Sequence, residues 1–161
     1  MATTSKPISH WSLLFLRLGL GWYFMYAGWT KVITFFTPAK DWTAAGFLGA
    51  AQGPFATFFK PMIGSVLIDY LNAYGLLLIG IALLVGIFVR WASFWGAVLM
   101  ILYWAAAYPA EHALFVDDHI IYALAFIVLG TLSAGHYLGI DDYLEKTNVY
   151  KKHKFLNMIM G

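Results

Sequence analysis

Between Leu71 and Ala110 the chain carries a single charged side chain, Arg90. Two apolar runs flank it, LNAYGLLLIGIALLVGIFV from Leu71 to Val89 and WASFWGAVLMILYWAAAYPA from Trp91 to Ala110. About 20 apolar residues in helical form span roughly 30 Å, the thickness of a bilayer's hydrocarbon core. Backbone N–H and C=O groups have no water to bond there, so a run of this kind folds as a helix. With only Arg90 between them, the two runs predict antiparallel helices joined by a tight turn. Composition extends the argument to the whole chain. Of 161 residues, 61% are hydrophobic and 11% charged, too little polar surface to cover a soluble domain of this size.

Two further spans are predicted, one from Trp11 to Phe36 and one from His119 to Ile140. The fold class expected is therefore an all-α membrane protein, a four-transmembrane-helix bundle forming one domain over residues 1–161, with spans at about 11–36, 71–89, 91–110 and 119–140. The N-terminal run contains Arg17 and no small-x-small cleavage site, so it is expected to stay as a membrane span. Segment 37–68 contains GFLGAAQGPFATFFKPMIG, too apolar for a solvated loop and broken by Gly46, Gly49, Gly53, Pro54 and Pro61. It predicts short interfacial or re-entrant helices over the outer mouth of the bundle. After Ile140 the chain turns polar, and residues 141–161 are expected to leave the membrane as a tail.

Orientation follows from the cations. Lys6, Arg90, Lys146, Lys151, Lys152 and Lys154 fall on one side, and Lys31, Lys40 and Lys60 on the other. The positive-inside rule then puts both termini in the cytoplasm. A net charge of +2 with a basic C-terminus fits an anionic leaflet, so membrane lipid is an expected partner and nucleic acid is not. The absence of cysteine excludes thiolate-ligated clusters, c-type haem attachment and any other cysteine-ligated cofactor on this chain.

Polar groups within spans are costly, so their placement is informative. Arg17, Gly21, Phe24, Gly28 and Lys31 share one face of the first helix, which is expected to meet the other helices, with glycines allowing close approach. Arg17 is expected to pair with Asp141 or Asp142, and Leu83 to face lipid. Asn72, Gly75, Ile79, Ala82 and Gly86 form a small-residue face on the second helix. At the outer boundary Lys31, Asp69, Asn72, Tyr108, Glu111, His112, Asp118, His119 and Tyr122 converge from four helices. Trp29, Trp104 and Tyr108 add flat rings for stacking.

Such a set suits a quinone, whose reduction needs donors for developing negative charge and groups that relay two protons. The expected catalytic residues are Lys31, stabilising charge on the reduced ring, and His119 with Asp118, exchanging protons with the outer solvent. The expected ligand-binding set is Lys31, Asn72, Trp104, Tyr108, His112, His119 and Tyr122. Glu111, His112, Asp118 and His119 match no compact metal-ligand spacing, so no metal is expected. A b-type haem between His10 and His136 is a weaker alternative.

Three stretches carry a family resemblance: RLGLGWYFMYAGWTKV (Arg17 to Val32), NAYGLLLIGIALLVGIFVRWAS (Asn72 to Ser93) and VDDHIIYALAFIVLGTLSAGHYLGID (Val116 to Asp141). They resemble the DoxX family, and most of all the DoxD-type large membrane subunit of thiosulfate:quinone oxidoreductase. The resemblance implies electrons passing from thiosulfate to membrane quinone, with tetrathionate as product and a small DoxA-like extracytoplasmic partner. Many relatives carry a Glu near the position of Asn72, and any proton role of that Glu would here pass to Asp69 or be absent. The function expected is a membrane subunit of a quinone-linked oxidoreductase using thiosulfate or another reduced sulfur species, in a prokaryotic cell (inner) membrane. The alternative is a non-catalytic integral subunit or assembly partner of a larger respiratory complex.

Overall fold

The computed structural model describes residues 7–37, 42–109, 115–147 and 156–160, and every regular element among them is a helix. These are α1 (Pro7–Val32), α2 (Ala45–Gly49), α3 (Ala56–Phe59), α4 (Val66–Val85), α5 (Val89–Ala107), α6 (Asp118–Thr131), α7 (Ile140–Glu145) and α8 (Leu156–Ile159), with short 3-10 turns between some of them. The long helices pack as two close pairs, α1 on α4 and α5 on α6, and α4 meets α5 more loosely.

Glycines set the α1–α4 distance. A Cβ on Gly28 would lie 2.6 Å from Leu77 Cα, and one on Gly80 would lie 2.5 Å from Met25 Cα. Backbone cannot yield at that range, so only a residue without a side chain fits. The α1 stripe of Gly21, Phe24 and Gly28 thus faces inward as its spacing predicts. On α4, however, the close approach falls on Gly80, while Gly75 has open space around it. Leu83, expected against lipid, is fully buried in the core that α1 helps to cover. At the centre Phe24 and Phe126 meet edge to face at 4.8 Å. Gly96 makes room for that ring, since a Cβ there would lie 2.5 Å from Phe126 Cε1.

Two helices, α4 and α5, are long and apolar enough to cross a membrane, and only about a third of each is buried within the protein. Leu67, Leu71 and Leu78 stay more than 60% exposed along α4. Water would not tolerate so extended an apolar face, so lipid covers it. The other two expected spans do not meet the same measure of length and hydropathy. α1 has the length, 26 residues, but Arg17, Lys31 and its Trp and Tyr residues dilute its hydropathy. α6 has 14 residues, about 21 Å of helix, short of roughly 30 Å. It stops at Thr131 because Ser133 and Leu138 take positive φ values of 52° and 53° and a 3-10 turn intervenes. Helix α4 starts earlier than hydropathy predicts, at Val66, and Asp69 in its first turn accepts the Ala44 N–H at 2.7 Å, tying the preceding segment to it.

Short helices do occupy the segment after α1. Ala44, Leu48 and Phe59 form a small second core with Ala106 of α5, and the Trp42 N–H bonds Thr34 Oγ1 at 2.9 Å. The opposite end of the bundle holds a buried polar knot. Arg17, 1% exposed, donates from Nη1 to Ala134 O at 2.7 Å and from Nη2 to Leu138 O at 3.4 Å. Asp141, fully buried, accepts the Phe88 and Val89 N–H groups at 2.8 and 3.0 Å, while its own N–H bonds Gly86 O at 2.9 Å. It therefore caps the start of α5 and complements the helix dipole. The cap also holds Phe88 at φ 50°, a left-handed conformation costing on the order of 1 kcal/mol or more. The expected pairing of Arg17 with Asp141 or Asp142 is not a direct one: carbonyls hold the guanidinium, and Asp141 acts on it only as a nearby charge, with no ion-pair contact between them among the described residues. Asp142 bonds Lys146 at 2.7 Å on the surface. Segment 141–161 consequently begins inside the bundle rather than leaving it, and α8 returns against α5 with Met160 2% exposed.

Candidate functional site

Helices α4 and α5 run back from a turn centred between Ile87 and Phe88, so residues equally far from it lie at the same depth. Asn72 and Tyr103 are such a pair, and the Asn72 Nδ2 donates to the Tyr103 hydroxyl at 2.6 Å. The Asn72 Oδ1 is buried with no partner. Turning the amide would only exchange an orphaned oxygen for an orphaned NH2. An unmet buried polar atom costs about 1–3 kcal/mol, so this amide is primed for another hydrogen-bonding group.

Tyr103 leads to the next element of the site. Its ring stands edge-on to His119 at 5.6 Å between centroids and packs against Phe47 of α2 at 5.4 Å. His119 Nδ1 lies 2.7 Å from Asp117 Oδ2, and Asp117 Oδ1 accepts the Ile120 N–H at 3.1 Å as the N-cap of α6. Burial pushes the Asp117 carboxyl up, but the hydrogen bonds from His119 and the Ile120 N–H outweigh it and hold the group below the usual carboxylate range. Engaging Nδ1 fixes the ring and leaves Nε2 for a second partner. The carboxylate paired with His119 is thus Asp117, not Asp118 as the sequence reading has it. Asp118 is exposed.

The other expected residues find different surroundings. Trp104 donates from Nε1 to Phe115 O at 2.9 Å, and with Tyr108, Phe55 and Phe115 it builds an aromatic group with centroids 5.5 to 6.5 Å apart. Tyr122 packs on Tyr23 and Phe24 of α1. Lys31 turns back to Ala27 O at 3.0 Å and lies 5.2 Å over the Trp42 ring. Trp29 is half exposed. Glu111 and His112 lie outside the described residues. Asn72 and His119 are therefore both brought to Tyr103, one at its hydroxyl and one at its ring, while Trp104 and Tyr108 pair with each other and Lys31 and Tyr122 are held by partners of their own. Tyr103 is the residue that sequence reasoning misses. Its signal is the mirror relation to Asn72 across the α4–α5 turn.

No group of three or more His, Asp or Glu side chains that could hold a metal occurs among the described residues. A haem between His10 and His136 is disfavoured, since His136 has Nε2 on Glu145 at 2.7 Å and Nδ1 against Ser133 O at 3.3 Å, while His10 stacks on Tyr137.

The loose α4–α5 contact leaves an apolar groove of about 660 Å³, lined by Leu71, Gly75, Leu78, Ala82, Trp95 and Leu102 among others. Gly75 and Ala82 give it width. Leu71 and Leu102 put one end of the groove at the depth of Asn72 and Tyr103, whose own side chains do not line it.

No curated protein and no solved structure matches this chain. Residues 12–109 match the DoxX family, more than half of the chain and nearly all of it from α1 through α5. The match takes in Arg17, the glycines of the α1–α4 contact, Asn72 and Tyr103. With its lipid-facing apolar helices, the chain is a membrane protein and belongs to the DoxX family.

Proposed function

We propose that this chain is the quinone-binding membrane subunit of an oxidoreductase of the DoxD type, passing electrons from thiosulfate or another reduced sulfur species to membrane quinone. The observation that carries this reading is the row Asn72, Tyr103, His119, Asp117, at the depth reached by one end of the apolar α4–α5 groove. In this reading the isoprenoid tail lies in the groove and the head ring reaches the Asn72–Tyr103 level, with Trp104 and Tyr108 nearby for stacking. Quinone takes up two electrons and two protons to give quinol. His119 and Asp117, with side chains 27% and 19% exposed, take the protons from solvent. Oxidation of two thiosulfates to tetrathionate releases the two electrons. A chain without cysteine stores none of them, so a small DoxA-like subunit outside the membrane, or a larger respiratory complex, is the proposed partner. Lys31 supplies positive charge at the same outer boundary.

The proposed placement is a four-span bundle in a prokaryotic cell (inner) membrane, with α6 and the segment after it completing the fourth crossing and both termini cytoplasmic. A cysteine placed at Thr43 should label from outside intact cells and one at Thr4 should not. The reverse pattern would overturn the orientation.

The functional test compares Tyr103→Phe, His119→Phe and Lys31→Met with the lipid-facing control Leu124→Ala. Each is purified with its co-expressed neighbours and measured for retained quinone and for quinone reduction by thiosulfate. His119→Phe should lower turnover by about 100-fold, the scale of a lost general acid–base group. Lys31→Met should lower it about 10- to 1,000-fold, and the control should be unchanged. Full turnover and full quinone content in all three variants would refute the site. A preparation with no quinone and a stoichiometric respiratory complex would return the chain to a non-catalytic subunit.

A further inference from the structure

A second groove, of about 410 Å³, lies between α5 and α6 near the end of the bundle that holds Arg17 and Asp141. Arg90, Ser93, Phe94, Ala97, Ile127 and Thr131 line it. Ser93 is 2% exposed and its hydroxyl has no hydrogen-bond partner. Packing alone does not call for a hydroxyl here, and alanine would sit on Gly130 equally well. Arg90 donates to Ser133 Oγ at 3.2 Å, and its Nε is 3.5 Å from Gly130 O, at the outer limit of a hydrogen bond. The Gly130 contact is weak enough to exchange for a stronger acceptor. Beside it Trp91, Phe94 and Trp95 are about half exposed and packed on one another. Exposed aromatics of this kind mark the headgroup boundary of a membrane.

The order of groups along the groove is specific. Arg90 stands at the boundary, Ser93 follows about 4.5 Å deeper at 1.5 Å per residue, and beyond it Ala97, Phe126 and Ile127 are apolar. A glycerophospholipid presents the same order: phosphate, ester carbonyl, acyl chain. We propose that this groove binds one anionic phospholipid of the surrounding leaflet. The phosphate sits on the Arg90 guanidinium, an ester carbonyl accepts from the Ser93 hydroxyl, and the chain lies along Ala97 and Ile127. An anionic headgroup is favoured because choline or ethanolamine would bring a second cation beside Arg90.

The test is native mass spectrometry of the full-length protein in mild detergent, titrated with phosphatidylglycerol or with phosphatidylcholine of the same acyl chains. Wild type should bind the anionic lipid about fivefold more tightly, the effect of one basic residue at an anionic headgroup. Arg90→Gln should remove that preference, and Arg90→Lys should keep most of it. Ser93→Ala and Ala97→Phe should weaken both lipids alike, with circular dichroism confirming that each variant is folded. Glycerol 3-phosphate should displace neither. Equal binding of the two lipids by wild type, a preference that survives Arg90→Gln, or displacement by glycerol 3-phosphate would each overturn the proposal.

Discussion

Replacing Asp141 with alanine should be among the most damaging single changes in this protein, although hydropathy alone places that residue in a solvated tail. Its carboxylate accepts two backbone N–H groups, from Phe88 and Val89, and it opposes the buried charge of Arg17. A hydrogen bond to a charged group is worth about 1.5–3 kcal/mol. Two such bonds are lost together, so the expected loss is about 4 kcal/mol. Asp142, the next residue, makes only an exposed contact with Lys146, worth under about 1 kcal/mol. Two adjacent aspartates should therefore differ by several kcal/mol. Asp141→Asn keeps one carbonyl oxygen for one of the two N–H groups and should fall between them. The assay is unfolding in mixed micelles titrated with sodium dodecyl sulfate, followed by circular dichroism, for the three variants and wild type. If Asp141→Ala and Asp142→Ala unfold at the same mole fraction of detergent, the assigned roles of the cap and of the Arg17 counter-charge are wrong.

Gly80→Ala should cost about 1–3 kcal/mol in the same assay, since its Cβ would press on the Met25 backbone. Gly75→Ala, with open space around it, should be neutral or stabilising by up to about 1 kcal/mol, and a reversed order would contradict the α1–α4 register. The Asp117 carboxyl is held below its ordinary value of 3.8, so its contribution is fully present above that value and is lost as pH falls through the lower folded-state value. The stability gap between wild type and Asp117→Asn should accordingly shrink as pH falls from about 5 to below about 4. A gap that does not shrink over that range would mean that Asp117 is not stabilised as a carboxylate.

Much of this protein is written in local patterns. The apolar runs on either side of Arg90 specify two lipid-facing helices, because hydrocarbon demands internal hydrogen bonding of every backbone group. The spacing of Gly21, Phe24 and Gly28 marks the inward face of α1, because helical period alone brings these residues together. Interruptions at Gly and Pro after α1 foretell short helices there. Other features depend on which surfaces meet. Whether Gly75 or Gly80 takes the close contact depends on how α4 is rotated against α1, and both fit the same small-residue pattern. Tyr103 looks like any interfacial tyrosine until the α4–α5 hairpin brings it to Asn72, 31 residues away. Hydropathy carries the fourth span through to Ile140, but the fold ends its helix at Thr131, where Ala134 and Leu138 turn their carbonyls to Arg17. Asp141 then follows the chain inward instead of out, because a buried cation and two uncapped N–H groups of α5 require its charge, and neither is adjacent to it in the sequence.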